Sequence, residues 1–122
     1  MDKNLIKDKD YVKIKDNLVS WLQNKVKKAG LKGAVVGLSG GIDSAVTARL
    51  SQLAFEDNLL TVIMPCHSSS KDRADALKVA NEFGMQVIEN DLSDIYDHFL
   101  DNLKQNSVQG GKLAAANIKP RL

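Results

Sequence analysis

The sequence has too few cysteines for a disulfide-linked or cysteine-ligated metal framework. It holds one cysteine, Cys66, in 122 residues. A single cysteine cannot form an internal disulfide, and no second cysteine is present to complete a thiolate metal site. This count excludes a disulfide-stabilised scaffold and a cysteine-ligated zinc domain. We interpret Cys66 as a buried apolar side chain of the core.

The chain also lacks long apolar runs and a strong net charge. No apolar run approaches the ~20 residues that span a bilayer, and residues 1–4 are mostly polar, unlike a signal peptide. The formal charge of +2 is small, and the lysines are spread too evenly for a nucleic-acid surface. We therefore predict a cytoplasmic protein with neither a membrane nor a nucleic acid as partner. No linker or repeat divides the chain, so residues 1–122 are predicted to form a single domain.

A regular apolar pattern marks residues 1–30 as an N-terminal helical segment. Apolar side chains recur at steps of three and four residues, which places them on one helix face, and Gly30 suits the position after the helix end. This helix would either cover one side of a sheet or pack against a second subunit. The positions that carry the pattern are Tyr11, Ile14, Leu18, Trp21, Leu22, Val26 and Ala29.

Strand and helix patterns alternate through the rest of the chain. Apolar runs at 33–38, 59–64 and 85–89 predict strands, and the first of them is continuously apolar, as in a strand covered on both faces. Helices are predicted from 43 to about 57 and from 71 to 83. The first has apolar positions Val46, Leu50, Leu53 and Ala54, and its small residues Ala45 and Ala48 should allow close approach to the sheet. Asp91 or Ser93 is predicted to cap a fourth helix with a broad apolar stripe over 92–103, and 112–118 a short helical piece. Helix-length connections predict parallel strands with right-handed crossovers, so the fold class is α/β.

The first strand runs directly into Ser39-Gly40-Gly41-Ile42-Asp43-Ser44. Adjacent glycines and hydroxyls at a helix start leave backbone N–H groups open at the positive end of the helix, where phosphate binds. The loop is neither a Walker loop nor the Gly-x-Gly-x-x-Gly fingerprint of dinucleotide folds. Since it carries an acid and no lysine, it suits a magnesium-bridged pyrophosphate.

A second polar loop follows the second strand, at 66–72, and should emerge beside the first. Ser69 and Asp72 have the spacing of a helix cap, and a nucleotide base could rest against this loop. His67 has no partner that the sequence reveals, which argues against a general acid or base role. The sequence therefore identifies no catalytic residue.

The stretch Gly37-Leu38-Ser39-Gly40-Gly41-Ile42-Asp43-Ser44 resembles the pyrophosphate loop of the ATP pyrophosphatases. Within that group the chain is similar to the ammonia-dependent NAD synthetases. The similarity includes Met64-Pro65 with its serine-rich successor and Asn117-Ile118-Lys119-Pro120-Arg121, which resembles the Asn-x-Lys-x-Arg segment of that family. This family usually has alanine where Pro120 stands. The resemblance implies an adenine nucleotide alpha hydrolase-like fold, a parallel sheet with helices on both faces, and a homodimer.

The resemblance also implies a reaction, in which ammonia amidates nicotinic acid adenine dinucleotide to NAD at the expense of ATP. An adenylated intermediate forms, and AMP and pyrophosphate are released. Asp43 would bind Mg²⁺, and Arg121 would hold the dinucleotide substrate. Free ammonia is expected as the nitrogen donor, since only about thirty residues precede the first strand. The residues implied to bind ATP are Gly37, Leu38, Ser39, Gly40, Gly41, Ile42, Asp43 and Ser44.

Two further interpretations stay open beside this one. The chain could be another ATP pyrophosphatase, acting on a nucleotide or on a tRNA base, or a non-catalytic ATP-binding module. The segment ending in Arg121 favours the synthetase, and the stop at Leu122 favours the module. Members of the family continue with further strands and ligand contacts, so we expect the fold to be incomplete at its C-terminus and the chain alone to be inactive.

Overall fold

The computed structural model describes residues 8–105, in which helices and strands alternate. The predicted helical piece at 112–118 and the predicted substrate residue Arg121 lie outside the described residues. A 3-10 turn, Glu56–Asn58, joins the second helix to the second strand. The elements in chain order are α1 (Asp8–Lys28), β1 (Ala34–Gly37), α2 (Ile42–Phe55), β2 (Leu59–Ile63), α3 (Ser70–Glu82), β3 (Val87–Glu89) and α4 (Ser93–Gln105).

The three strands form one parallel sheet in the order β1-β2-β3. Gly37 at the end of β1 lies opposite Val62, and Ile63 at the end of β2 lies opposite Glu89. The carboxyl ends of all three strands therefore meet at one edge of the sheet, where ligands bind in open α/β folds. The predicted α/β class is confirmed.

The core lies between the sheet and the helices α2 and α3. In β2, Leu59, Thr61 and Ile63 alternate with less buried residues, which gives the strand its period of two. The fully buried hydroxyl of Thr61 donates to the carbonyl oxygen of Gln86 at 2.7 Å, so no polar group is left unsatisfied there. Small residues on both helices allow close approach to the sheet. The central cluster contains Leu38, Ala48, Ile63, Ala76, Ala80 and Met85.

The sequence-based predictions about coverage hold only in part for the described residues. The side chain of Val35 in β1 is 68% exposed, so this strand is not covered on both faces. Val46 has the spacing of the apolar stripe of α2 but is 51% exposed, whereas Ala48, which the sequence predicts to allow close approach to the sheet, is buried together with Ser51. The close approach of α2 to the sheet selects small side chains at the contact, and the larger ones lie to its sides.

Helix α1 packs against α2 and ends as predicted, with Gly30 in the left-handed region at φ +75°. Most of the apolar side chains that form the pattern of α1 are nevertheless exposed to solvent. A row of large side chains is more than two-fifths exposed: Tyr11, Ile14, Leu18 and Trp21. Among the helices described, none combines the length and apolar character needed to cross a bilayer.

Candidate functional site

The loop between β1 and α2 lies at the carboxyl edge of the sheet. Leu38 anchors its start, because its buried side chain joins the core and its N–H donates to the carbonyl oxygen of Val62 at 2.8 Å. Gly40 turns the chain at φ +88°, and a Cβ there would lie 2.5 Å from the carbonyl oxygen of Asp72 in α3. Only glycine fits this left-handed position against a neighbouring backbone. The start of α3 is thereby brought directly against the loop.

Helix α2 begins after Gly41, which supplies no side-chain cap. The first N–H groups of a helix have no intrahelical partner, and a glycine at this position leaves them open to an external acceptor. The positive end of the helix dipole adds to the attraction for an anion. The structure thus places an open helix start where the sequence predicts phosphate binding.

Two serines hold the loop in shape. Ser44 Oγ accepts the N–H of Ser39 at 3.0 Å, donates to the carbonyl oxygen of Gly41 at 3.1 Å and lies 3.0 Å from Ser39 Oγ. The N–H of Gly41 in turn donates to Ser39 Oγ at 3.3 Å. The loop is therefore preorganised by its own hydroxyls, which occupy N–H groups that a phosphate oxygen could accept from instead.

Asp43 lies in the first turn of α2 with its side chain exposed. Its carbonyl oxygen accepts the hydroxyl of Thr47 at 2.9 Å, so the helix turn below the carboxylate is fixed. Within residues 8–105 no group of three or more acidic, histidine or cysteine side chains could hold a metal ion. A single carboxylate beside a phosphate loop still fits Mg²⁺, which is commonly held by one or two carboxylates together with substrate phosphates.

A cavity of about 240 Å³ separates this loop from the loop after β2. Its walls are apolar at the strand ends and polar towards α3, a combination that suits a base and a sugar. A larger cleft of about 480 Å³, lined by Arg49, Gln52 and Gln86, opens near the start of β2 and away from the phosphate loop. We place the site at the smaller of these two cavities because the hydroxyl of Ser39 and the start of α3 both line it. It is lined by Leu38, Ser39, Ile63, Met64, Pro65, Ser68, Asp72 and Arg73.

The start of α3 forms one side of this cavity. Ser69 caps the helix as predicted, its Oγ accepting the N–H of Asp72 at 3.2 Å. Arg73 makes two parallel bonds to Glu89 at the end of β3, at 2.6 and 2.9 Å, and this carboxylate raises the pKa of the Arg73 guanidinium. The two-point contact fixes the guanidinium plane beside the cavity.

His67 has a partner, so the interpretation of this residue as unpartnered is wrong. Its Nε2 lies 2.7 Å from Asp97 Oδ1 in α4, and its backbone N–H donates to Ser93 Oγ at 3.0 Å. The partner is 30 residues away in sequence, and no local pattern connects the two. Asp97 and Arg73 were both missed. Arg73 could have been found, because it follows the Ser69 cap by one helical turn on the ligand side of the sheet.

Asp91 lies two residues before α4, and its Oδ1 accepts the N–H of Ser93, the first residue of the helix, at 2.8 Å. The hydroxyl of Ser93 and then its N–H donate to this carboxylate, and the nearby His67 adds a smaller effect, so the pKa of Asp91 lies below its ordinary value of 3.8. A carboxylate whose pKa is lowered by folding stabilises the fold above its ordinary pKa. This stabilisation is lost as the pH falls through the pKa that the carboxyl group has in the folded state.

We therefore expect Asp91→Asn to reduce the acid sensitivity of the fold. The free energy of unfolding of the unchanged chain should fall more steeply below the ordinary carboxyl pKa than that of the variant. Chemical unfolding at a series of pH values measures this, with Asp94→Asn in the first turn of α4 as the charge-matched control. Equal acid dependence in all three proteins would contradict a stabilising bond between Asp91 and Ser93.

The structure brings together all eight predicted phosphate-loop residues, from Gly37 at the end of β1 to Ser44 in the first turn of α2. The start of this loop lines one side of the cavity, and the loop after β2 lines the other. The arrangement can hold a phosphate chain at the helix start and an apolar ring against the strand ends.

A family model described as NAD synthase matches residues 14–122. An NH(3)-dependent NAD(+) synthetase of Finegoldia magna is 46% identical over 113 residues, which cover 93% of this chain and 46% of the relative. A protein of the same name from Carboxydothermus hydrogenoformans is 44% identical over 108 residues, covering 88% and 44%. The chain thus spans about half the length of these relatives.

Solved structures give the same likeness. An NH3-dependent NAD synthetase from Campylobacter jejuni superposes with a TM-score of 0.80 at 30% identity, over 90% of this chain and 47% of that one. An NMN synthetase from Francisella tularensis superposes with a TM-score of 0.78 at 26% identity, over 93% and 45%. A glutamine-dependent NAD+ synthetase from Acinetobacter baumannii, solved with ADP, gives 0.80 at 26% identity, over 88% and 21%.

Proposed function

Because this chain belongs to the NAD synthase family, we propose that it forms the ATP-binding part of an ammonia-dependent ligase. This ligase amidates nicotinic acid adenine dinucleotide to NAD and releases AMP and pyrophosphate. The observation that carries the proposal is the loop at residues 37–44, which combines a left-handed Gly40 with an open start of α2. The ADP held by the Acinetobacter baumannii structure supports an adenine nucleotide as the ligand.

We assign the loop to the phosphates of ATP. The N–H groups of Gly40 and Gly41 and the hydroxyls of Ser39 and Ser44 would donate to the β- and γ-phosphates. Gly37, Leu38 and Ile42 would shape the loop around them. Asp43 would hold Mg²⁺, which when bound neutralises charge on the phosphate chain.

The reaction places its main demand on positioning and charge. The substrate carboxylate attacks the α-phosphorus of ATP and pyrophosphate leaves, after which ammonia displaces AMP from the acyl adenylate. Donors held close to the leaving pyrophosphate stabilise the charge that develops there. Ser39 and Ser44 are held in place by their bonds within the loop, and their hydroxyls would exchange these bonds for bonds to phosphate. We assign no proton-transfer residue within residues 8–105.

Arg121 would hold the dinucleotide substrate, since its planar guanidinium can pair with a phosphate or carboxylate through two bonds.

We further propose that the protein is cytoplasmic and forms a homodimer. The exposed apolar row of α1 offers a surface for a second copy, and it is defined by Tyr11, Ile14, Leu18 and Trp21. Sedimentation of the chain beside a Trp21→Lys variant tests this: a monomer in both cases would contradict it.

The likeness to an NMN synthetase supports a second candidate, the amidation of a mononucleotide. The phosphate loop would serve either reaction, provided that ATP adenylates the acid in both. The two differ in the acid substrate, so they separate only when both acids are supplied.

The experiment uses this chain joined after Leu122 to the second half of the Finegoldia magna relative, with the chain alone beside it. ATP, Mg²⁺, ammonium and either nicotinic acid adenine dinucleotide or nicotinic acid mononucleotide are supplied. We expect one NAD, one AMP and one pyrophosphate per turnover of the joined protein with the dinucleotide. Preference for the mononucleotide supports the second candidate, and turnover with neither acid overturns both.

A further inference from the structure

His67 has an uncommon backbone conformation in the loop after β2. Its φ of +53° lies in the left-handed region, which few non-glycine residues adopt; Glu56 is the other non-glycine residue of this kind in the described part of the chain. Such a conformation persists where surrounding contacts over-determine it, and it is frequent at functional sites. A glycine would adopt the same backbone without strain. The side chain of His67 must therefore supply something that glycine would not.

Three contacts hold His67, and all come from the first two turns of α4. The backbone N–H donates to Ser93 Oγ at 3.0 Å, and Nε2 pairs with Asp97 Oδ1 at 2.7 Å. The imidazole ring also meets the ring of buried Tyr96 edge-on, with 5.8 Å between centroids. Positions 93, 96 and 97 lie on one face of a helix. One face of α4 therefore supplies all three of these contacts to His67.

The residues on either side of His67 connect its contacts with α4 to the wall of the cavity. Cys66 is buried and its N–H donates to Ser68 Oγ at 3.2 Å, so the chain reverses tightly around His67. Ser68, Met64 and Pro65 line the cavity opposite the phosphate loop. The carbonyl oxygen of Pro65 accepts the N–H of Leu92 at 2.7 Å, which ties the same loop to the segment before α4.

We propose that His67 is a positioning residue of the nucleotide site. The His67–Asp97 pair fixes residues 64–69 as the wall that meets the base and ribose of ATP, while the phosphates lie on the opposite loop. His67 does not line the cavity, so it acts through the path of the loop and not by touching the ligand. The identity of the ligand rests on the proposed function. The His67–Asp97 pair, which we call the tether, rests on the contacts described above.

The test compares His67→Gly and Asp97→Ala with a matched control. His67→Gly keeps the left-handed backbone and removes the tether, and Asp97→Ala removes the partner. The control is His98→Ala, which deletes the second of the two histidines, an exposed residue of the same helix. Two quantities are measured: hydrogen exchange at the amides of residues 66–69 without ligand, and the dissociation constants of magnesium ATP and magnesium pyrophosphate.

We expect exchange at residues 66–69 to rise about three- to fivefold in both tether variants, the scale of one half-exposed ion pair. The dissociation constant of ATP should rise by a similar factor, while that of pyrophosphate changes by less than about twofold, because pyrophosphate meets only the other loop. His98→Ala should leave every value unchanged. A purely structural role would weaken both ligands equally.

Unchanged exchange in His67→Gly and Asp97→Ala overturns the tether whether or not ATP binds. Faster exchange with unchanged ATP affinity overturns the positioning role and leaves the proposed function standing. If the chain without substitutions binds neither ATP nor pyrophosphate, the proposed function is overturned, and this inference with it.

Discussion

Replacing Gly40 by alanine should abolish measurable ATP binding and lower the free energy of unfolding by about 2–4 kcal/mol. The added Cβ would meet the backbone carbonyl of Asp72 at 2.5 Å, far inside contact distance, and the backbone stands at φ +88°. Since the clash is with main chain, no side-chain rotation relieves it. Either the loop or the start of α3 must move, and both form the site.

Substitutions at two other glycines distinguish backbone strain from the steric clash as the cause of the Gly40→Ala effect. Gly84 has φ +62° and open space where an added Cβ would lie, so Gly84→Ala measures backbone strain alone. Gly41 has no positive φ, and its Cβ would meet only the Ser39 hydroxyl at 3.4 Å, so Gly41→Ala tests tolerance within the loop. Chemical unfolding and calorimetric titration with magnesium ATP measure all three. If Gly40→Ala were no more damaging than Gly84→Ala, the close contact of loop and α3 would be wrong.

Replacing Asp43 by asparagine should slow adenylation by roughly 2–4 kcal/mol in transition-state free energy, or about thirty- to a thousandfold. The change removes the charge and nearly keeps the shape. Folding should be almost unaffected, because the side chain is exposed and the bond from Thr47 uses the backbone carbonyl of Asp43. The loss should therefore occur in chemistry and in the magnesium requirement, not in stability.

The measurement is AMP formation by the joined protein at increasing magnesium concentration, with unfolding followed in parallel. Asp94→Asn, in the first turn of α4, is the control for removing one carboxylate from a helix start. We expect it to leave AMP formation unchanged. Normal turnover and normal magnesium dependence in Asp43→Asn would remove Asp43 from the metal site.

Much of the fold could be predicted because its signals are local. Each strand is a short apolar run, and Gly30 and Ser69 mark a helix end and a helix start through their own backbone chemistry. The phosphate loop is local in the same sense, since Ser39 and Ser44 bond to each other across five residues. Alternating strands and helices then leave few possible topologies.

The features that escaped prediction depend on contacts distant in sequence. Val46 has the spacing of the apolar stripe of α2, yet half of it is exposed. Exposure of Val35 depends on which strands and helices lie beside β1. The pairing of His67 with Asp97 depends on where α4 crosses the loop, which no local pattern encodes.

The central claim is that the loop at residues 37–44 binds the phosphates of ATP with magnesium. Titration of the isotope-labelled chain with magnesium ATP and, separately, with magnesium pyrophosphate tests it through backbone amide shifts. We predict that both ligands move the amides of Gly40, Gly41 and Ser44, and that ATP alone also moves those of Met64 and residues 66–69. Shifts confined to other parts of the chain, with these three amides untouched by either ligand, would contradict the claim.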